Sequence, residues 1–163
     1  MLGAIAGDTI GSVYEFNNHK TKDFELFTSA SSFTDDSILS VATAEVMLRG
    51  NSTSQAYSDA YKRYARRYPS PCGGYGARFN GWASSPSSRP YNSWGNGSAM
   101  RVSPVGWVCN SWEEVMAEAE KSAAVTHNHA EGIKGAQETL ARLDGELSGV
   151  VVEFRDRYVS ARV

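Results

Sequence analysis

A chain of 163 residues with 16 basic and 18 acidic side chains carries a formal net charge of -2, so it has no general attraction for nucleic acid or an anionic membrane surface. With 41% apolar and 21% charged residues it can bury a core, and its length suits one domain over residues 1–163. It has no apolar run of about 18 residues and no basic lead, and Cys72 and Cys109 are isolated, which predicts a cytoplasmic protein that neither demands a disulfide nor makes a zinc pattern.

The opening stretch MLGAIAGDTIGSVYE sets Leu2, Ile5, Ala6, Ile10 and Val13 at helical spacing and predicts a buried helix. Gly3, Gly7 and Gly11 share one ridge of it, and a ridge without side chains lets another helix or a ligand approach the backbone closely. The polar segment 17–32 reads as a loop. In FTDDSILSVATAEVMLRG, Thr34 is a good N-cap and Asp35 and Asp36 fill the first turn. Ile38, Val41, Ala42 and Val46 form the apolar face, and Gly50 stops the helix. Between 54 and 68, Tyr57, Tyr61, Tyr64 and Tyr68 alternate with Lys62, Arg63, Arg66 and Arg67, a tyrosine core stripe backed by a solvated basic face. Residues 69–98, rich in Gly, Pro and Ser, read as one long loop whose Tyr75, Phe79 and Trp82 argue against simple disorder. Amphipathic helices follow over 112–125 and 130–143. The closing GVVVEFRDRYVSARV has strand-like content, with a final helix as the other reading. The expected fold is mainly α: a compact helical bundle with one long loop and a candidate C-terminal strand.

Several side chains could carry chemistry. Thr34, Asp35 and Asp36 form a compact set of hard oxygen donors suited to magnesium, although two acids in a first turn also complement the helix dipole. In SWGNGS, Gly95 and Gly97 flank Asn96 and allow a sharp backbone path toward a helix start near Ser98, where N–H groups can receive an anion or sugar hydroxyls. The same dipeptide is also an ordinary turn. His127 and His129 suit ligand contacts, but two histidines alone do not make a zinc site. Glu15, just past the glycine ridge, is either a general acid/base or a surface acid at a helix end.

In this order, GAIAGDTIGSVYEF, FTDDSILSVATAEVML, SWGNGSAMRVSPVG and VTHNHAEGIKGAQ resemble the ADP-ribosylglycohydrolase family, over about residues 2–147. The resemblance implies an all-helical fold with a pair of magnesium ions that hydrolyses the bond joining ADP-ribose to a protein side chain. It implies Thr34, Asp35 and Asp36 as metal ligands, Ser93, Trp94, Asn96 and Gly97 as the loop holding ADP-ribose, and His127 near the ribose and phosphates. Glu15 matches an acid that in some members lies over the scissile bond, so that Glu15, or a metal-bound carboxylate of Asp35 or Asp36, would act as base, and the glycine ridge would hold the first helix tightly in the bundle. The family's second ligand set, an Asp-x-Asp-Thr/Ser pattern near the end of a longer chain, finds no match among Glu131, Glu138, Asp144, Glu146, Glu153 and Asp156. A C-terminally truncated domain with an incomplete magnesium site is therefore expected. Two outcomes follow: an enzyme completed by another chain or a second copy, or an inactive binding protein. The binder would occupy a partner through the aromatic-rich loop 75–94, as suits a phage- or mobile-element-encoded inhibitor of a host complex.

Overall fold

Three helices begin where a hydroxyl can cap them. Thr34, Thr53 and Ser111 each accept a hydrogen bond from an N–H of the turn they precede, at 3.1–3.2 Å, which satisfies donors that a helix start otherwise leaves open. The computed structural model describes residues 1–17 and 19–141. Its helices are α1 (Leu2–Gly11), α2 (Asp35–Leu48), α3 (Ser54–Arg67), α4 (Ala77–Ser84), α5 (Val105–Val108), α6 (Trp112–Ala124) and α7 (residues 130–141), with a 3-10 turn at Asn96–Ser98. The expected mainly helical fold is what forms. The closing segment read as strand or helix lies outside the described residues. Among those residues, no helix is long and apolar enough to cross a membrane.

The core gathers on α2. Leu39, Ala42 and Val46 pack with Tyr57 and Tyr61 of α3, Val102 and Val105, Ala119 and Ala123 of α6, and Ala136 and Leu140 of α7. The tyrosine stripe holds for Tyr57 and Tyr61, which are fully buried, and fades to an exposed Tyr68. Its basic face is not uniformly solvated. Lys62 is buried, donates to the carbonyls of Ser85 and Ser87 at 2.7 and 2.8 Å, and stands 4.6 Å over the Trp82 ring.

Two expectations are corrected. The segment 69–98 is not one loop, because α4 forms inside it and buries Phe79, Trp82 and Ala83. The 75, 79, 82 spacing of its aromatics is helical, and the flanking glycines, prolines and serines hid it. Trp82, which lies in the loop 75–94 expected to occupy a partner, is therefore part of the core. The first helix, in turn, is not buried: no residue of α1 is, and Leu2 is 85% exposed. A Cβ added at Gly3, Gly7 or Gly11 would meet nothing within 4 Å, so this ridge does not clamp α1 into the bundle. What ties α1 down is Asp8.

Candidate active site

Asp8 explains the acid inside an apolar helix. Its carboxylate accepts from the Thr34 N–H at 2.9 Å, the Thr34 hydroxyl at 2.5 Å and the Ser37 N–H at 3.2 Å, fixing the start of α2 from 26 residues away. Thr34 is thereby buried as a cap: its hydroxyl donates to Asp8 and accepts from the Asp36 N–H, leaving one lone pair uncommitted. The two carboxylates that follow are half-buried. Burial first, then the charges of Asp36, Glu15 and Asp8, pushes Asp35 up to about 7. Burial, then Asp8 and Glu15, pushes Asp36 up to about 6. Among the described residues no ion pair involves either aspartate. Such a cluster favours a proton or a cation. Among those residues, no three His, Cys, Asp or Glu side chains form a ready-made metal cage.

A cavity of about 330 Å³ opens beside this helix start, and Asp35 lines it together with Ser93, Asn96, Gly97 and His127. Residues separated by up to 92 positions in sequence thus meet in one place. Thr34, Asp36, Glu15 and Trp94 are not on its lining. Glu15 is exposed but near enough to both aspartates to raise them, and its Oε2 lies 2.8 Å from where a Cβ on Gly73 would sit. Gly73 has φ +74 and that close neighbour, so it is a position where glycine is required. Trp94 is 72% exposed, with its ring 6.3 Å from that of His129.

The lining also carries two cations that the sequence did not single out, Arg78 and Arg101. Arg78 donates to the Tyr91 carbonyl and lies over the Tyr91 ring. Arg101 is fully buried. Its Nη2 donates to the Ser122 carbonyl at 3.1 Å and to Thr126 Oγ1 at 2.8 Å, and its guanidinium sits 4.0 Å over the Tyr61 ring. Its Nε and Nη1 have no hydrogen-bond partner among the described residues, and a buried donor without a partner is costly. Burial, then Arg101 and Arg78, pushes His127 down to about 4, so its ring is neutral at physiological pH.

The backbone around His127 is tightly fitted. A Cβ on Gly97 would stand 3.0 Å from both Cε1 and Nε2 of the His127 ring. On Gly132 it would stand 2.6 Å from the Ser93 carbonyl oxygen and 2.9 Å from His127 Cβ. Ser98 donates to the Gly132 carbonyl at 2.6 Å, and the Asn92 N–H donates to Asn128 Oδ1 at 2.8 Å with Asn92 at φ 51. The sequence reading missed Asp8, Arg78, Arg101 and Gly132. One signal for Arg101 was present, a lone charge inside the apolar run AMRVSPVG. Gly132 gave none, because only the folded backbone brings Ser93 to it.

The cavity therefore offers acid and cation side by side: one carboxylate, Asp35, that can hold a cation, and guanidinium and loop N–H groups that can receive an anion. A family model described as ADP-ribosylglycohydrolase matches residues 1–154 of the chain. ADP-ribosylhydrolase ARH3 of Bos taurus is 29% identical over 167 residues, covering 83% of this chain and 45% of the bovine protein. The chain thus spans about half the length of this curated relative. With the family match running through every motif that meets at the cavity, the chain belongs to the ADP-ribosylglycohydrolase family.

Proposed function

We propose that this cavity takes ADP-ribose and that the chain hydrolyses the glycosidic bond between ADP-ribose and a protein side chain. One observation carries the reading: Asp35, Ser93, Asn96, Gly97, His127, Arg78 and Arg101 line the same space. Its volume of about 330 Å³ sits at the low end of the ~300–1,000 Å³ typical of small-molecule sites. That suits a ribose with a phosphate, while the exposed Trp94 offers a ring on which the base can stack. Backbone N–H groups at Asn96 and Gly97, with the two arginines, suit phosphate oxygens. The bovine relative is by name an ADP-ribosylhydrolase, which supports the same chemistry.

Magnesium fits the acid side. Asp35 and Asp36 are adjacent, half-buried and without an ion-pair partner among the described residues, a repulsion that a divalent cation relieves. Magnesium commonly takes one or two carboxylates and keeps several waters, and the Thr34 hydroxyl has a lone pair to add. When bound, the ion would polarise a water and the ribose hydroxyls. Glu15, beside both aspartates, takes the proton from the attacking water as its oxygen bonds to ribose C1. The bond from C1 to the side-chain atom breaks, its electrons stay on that atom, and the proton taken up by Glu15 passes to it, completing the released side chain and restoring the carboxylate. Loss of a general base costs about 10²–10⁴-fold. Glu15→Gln is therefore expected to slow magnesium-dependent release of ADP-ribose from an ADP-ribosylated peptide by at least about 10²-fold. Asp35→Ala and Asp36→Ala are expected to abolish it. Release that survives all three changes would contradict this reading.

A second reading, binding to a protein partner or a second copy, is favoured by one surface. The unburied α1 borders a groove lined by Ile5, Phe33, Ile38, Val41, Tyr64 and Tyr68. It stands beside the loop 75–94, of which Phe79 and Trp82 are in the core while Trp94 is exposed. Binding by this face is expected to be unaffected by Asp35→Ala.

A further inference from the structure

We propose that Arg101 and Thr126 are positioning residues that lock His127 in a single tautomer, with the hydrogen on Nε2 presented to the cavity as a donor for a ligand oxygen. The identity of that ligand rests on the ADP-ribose reading above; the tautomer does not.

The assignment comes from counting hydrogens at one hydroxyl. Thr126 Oγ1 has one hydrogen to give and two lone pairs to receive. Arg101 Nη2 lies 2.8 Å from it, and a guanidinium only donates, so one lone pair is taken. His127 Nδ1 also lies 2.8 Å away, and among the described residues no other acceptor stands in hydrogen-bond geometry for the Thr126 hydrogen. Two arrangements remain. In the first, Thr126 donates its hydrogen to Nδ1. In the second, a hydrogen on Nδ1 is donated into the second lone pair of Thr126, and the hydrogen of this fully buried hydroxyl is left without an acceptor. A buried donor without a partner is costly, whereas a neutral imidazole nitrogen is a strong acceptor, so the first arrangement wins. The guanidinium favours it further by drawing electron density from the threonine oxygen and making its hydrogen a better donor.

With Nδ1 accepting, the hydrogen sits on Nε2. The positions of His127 Cε1 and Nε2, 3.0 Å from a Cβ on Gly97, turn that edge of the ring toward the Asn96–Gly97 loop that lines the cavity. His127 is 4% exposed and two arginines lie near it, so protonating Nδ1 as well is opposed by burial and by charge. His127 is therefore a fixed donor and takes no proton near neutral pH.

Nitrogen-15 NMR of histidine-labelled protein reads the tautomer directly. At pH 7, His127 is expected to show a protonated Nε2 and an unprotonated Nδ1, both in the wild type and in Thr126→Ser, which keeps the hydroxyl. Thr126→Val, which keeps the shape and removes the hydroxyl, is expected to give a mixture of tautomers. It should also weaken ADP-ribose binding about tenfold, with Thr126→Ser staying near wild type. A protonated Nδ1, an imidazolium at pH 7, or a Thr126→Val spectrum like the wild type would overturn the proposal. A wild type with the expected tautomer that fails to bind ADP-ribose would remove the ligand reading and leave the relay standing.

Discussion

Gly3, Gly7 and Gly11 repeat every four residues along α1, and a methyl group added at any of them would meet open space. Gly97 and Gly132 follow no repeat, yet a Cβ at either would come within 3.0 Å of His127 or nearer still to the Ser93 carbonyl. Periodicity in a sequence reports which residues share a face, and says nothing of what covers that face. Close approach is set by where distant backbone arrives, and here it arrives at the cavity. The regular glycines belong to an open surface, and the irregular ones hold the site together.

Substitutions at the two sets should therefore differ in sign. The largest effect is expected at Gly132→Ala, whose new methyl presses on a backbone oxygen at 2.6 Å that cannot swing away. Overpacking of this kind costs about 1–3 kcal/mol, and urea denaturation should show it along with lost ligand binding. Gly97→Ala meets the edge of an imidazole instead, so the ring must shift. Stability should fall by about 1 kcal/mol, at the low end for overpacking, while ADP-ribose affinity falls about tenfold as the His127 donor is displaced.

The acids at the start of α2 give a pH signature. The folded pKa values of Asp35 and Asp36, about 7 and about 6, lie above the ordinary 3.8, so without metal their contribution to stability is full below pH 3.8 and is lost as pH rises toward 7. His127 acts oppositely, because its folded value of about 4 lies below 6.5 and its contribution is lost as pH falls through that window. Thermal unfolding of metal-free protein should show Asp35→Asn more stable than wild type at pH 8 and no better at pH 4. Magnesium should raise the wild-type midpoint more at pH 8 than at pH 5, where protons compete, and should leave Asp35→Asn unmoved. The smallest effect belongs to the open ridge: Gly7→Ala should stabilise the protein by about 0.5–1 kcal/mol and leave ADP-ribose release unchanged.

Local signals were legible and long-range ones were not. The α2 start could be read because Thr34, Asp35 and Asp36 are contiguous and capping is a one-turn interaction. The Ser93–Gly97 loop and His127 could be read as motifs, and they do meet at one cavity. Asp8 could be seen as out of place, but not that its partners lie on the next helix. Arg101 could not be seen as buried, because arginine is ordinarily exposed and its burial depends on Tyr61, Ser122 and Thr126 converging on it. Helix α4 was hidden because its turn-forming flanks outweighed three aromatics at helical spacing.

Calorimetric titration of ADP-ribose, with magnesium present, into the wild type, Gly97→Ala and Gly7→Ala tests the site most directly. One binding event is expected in the wild type and in Gly7→Ala, weakened about tenfold in Gly97→Ala. No heat in the wild type, or equal affinity in all three proteins, would contradict a ligand cavity built on Gly97 and His127.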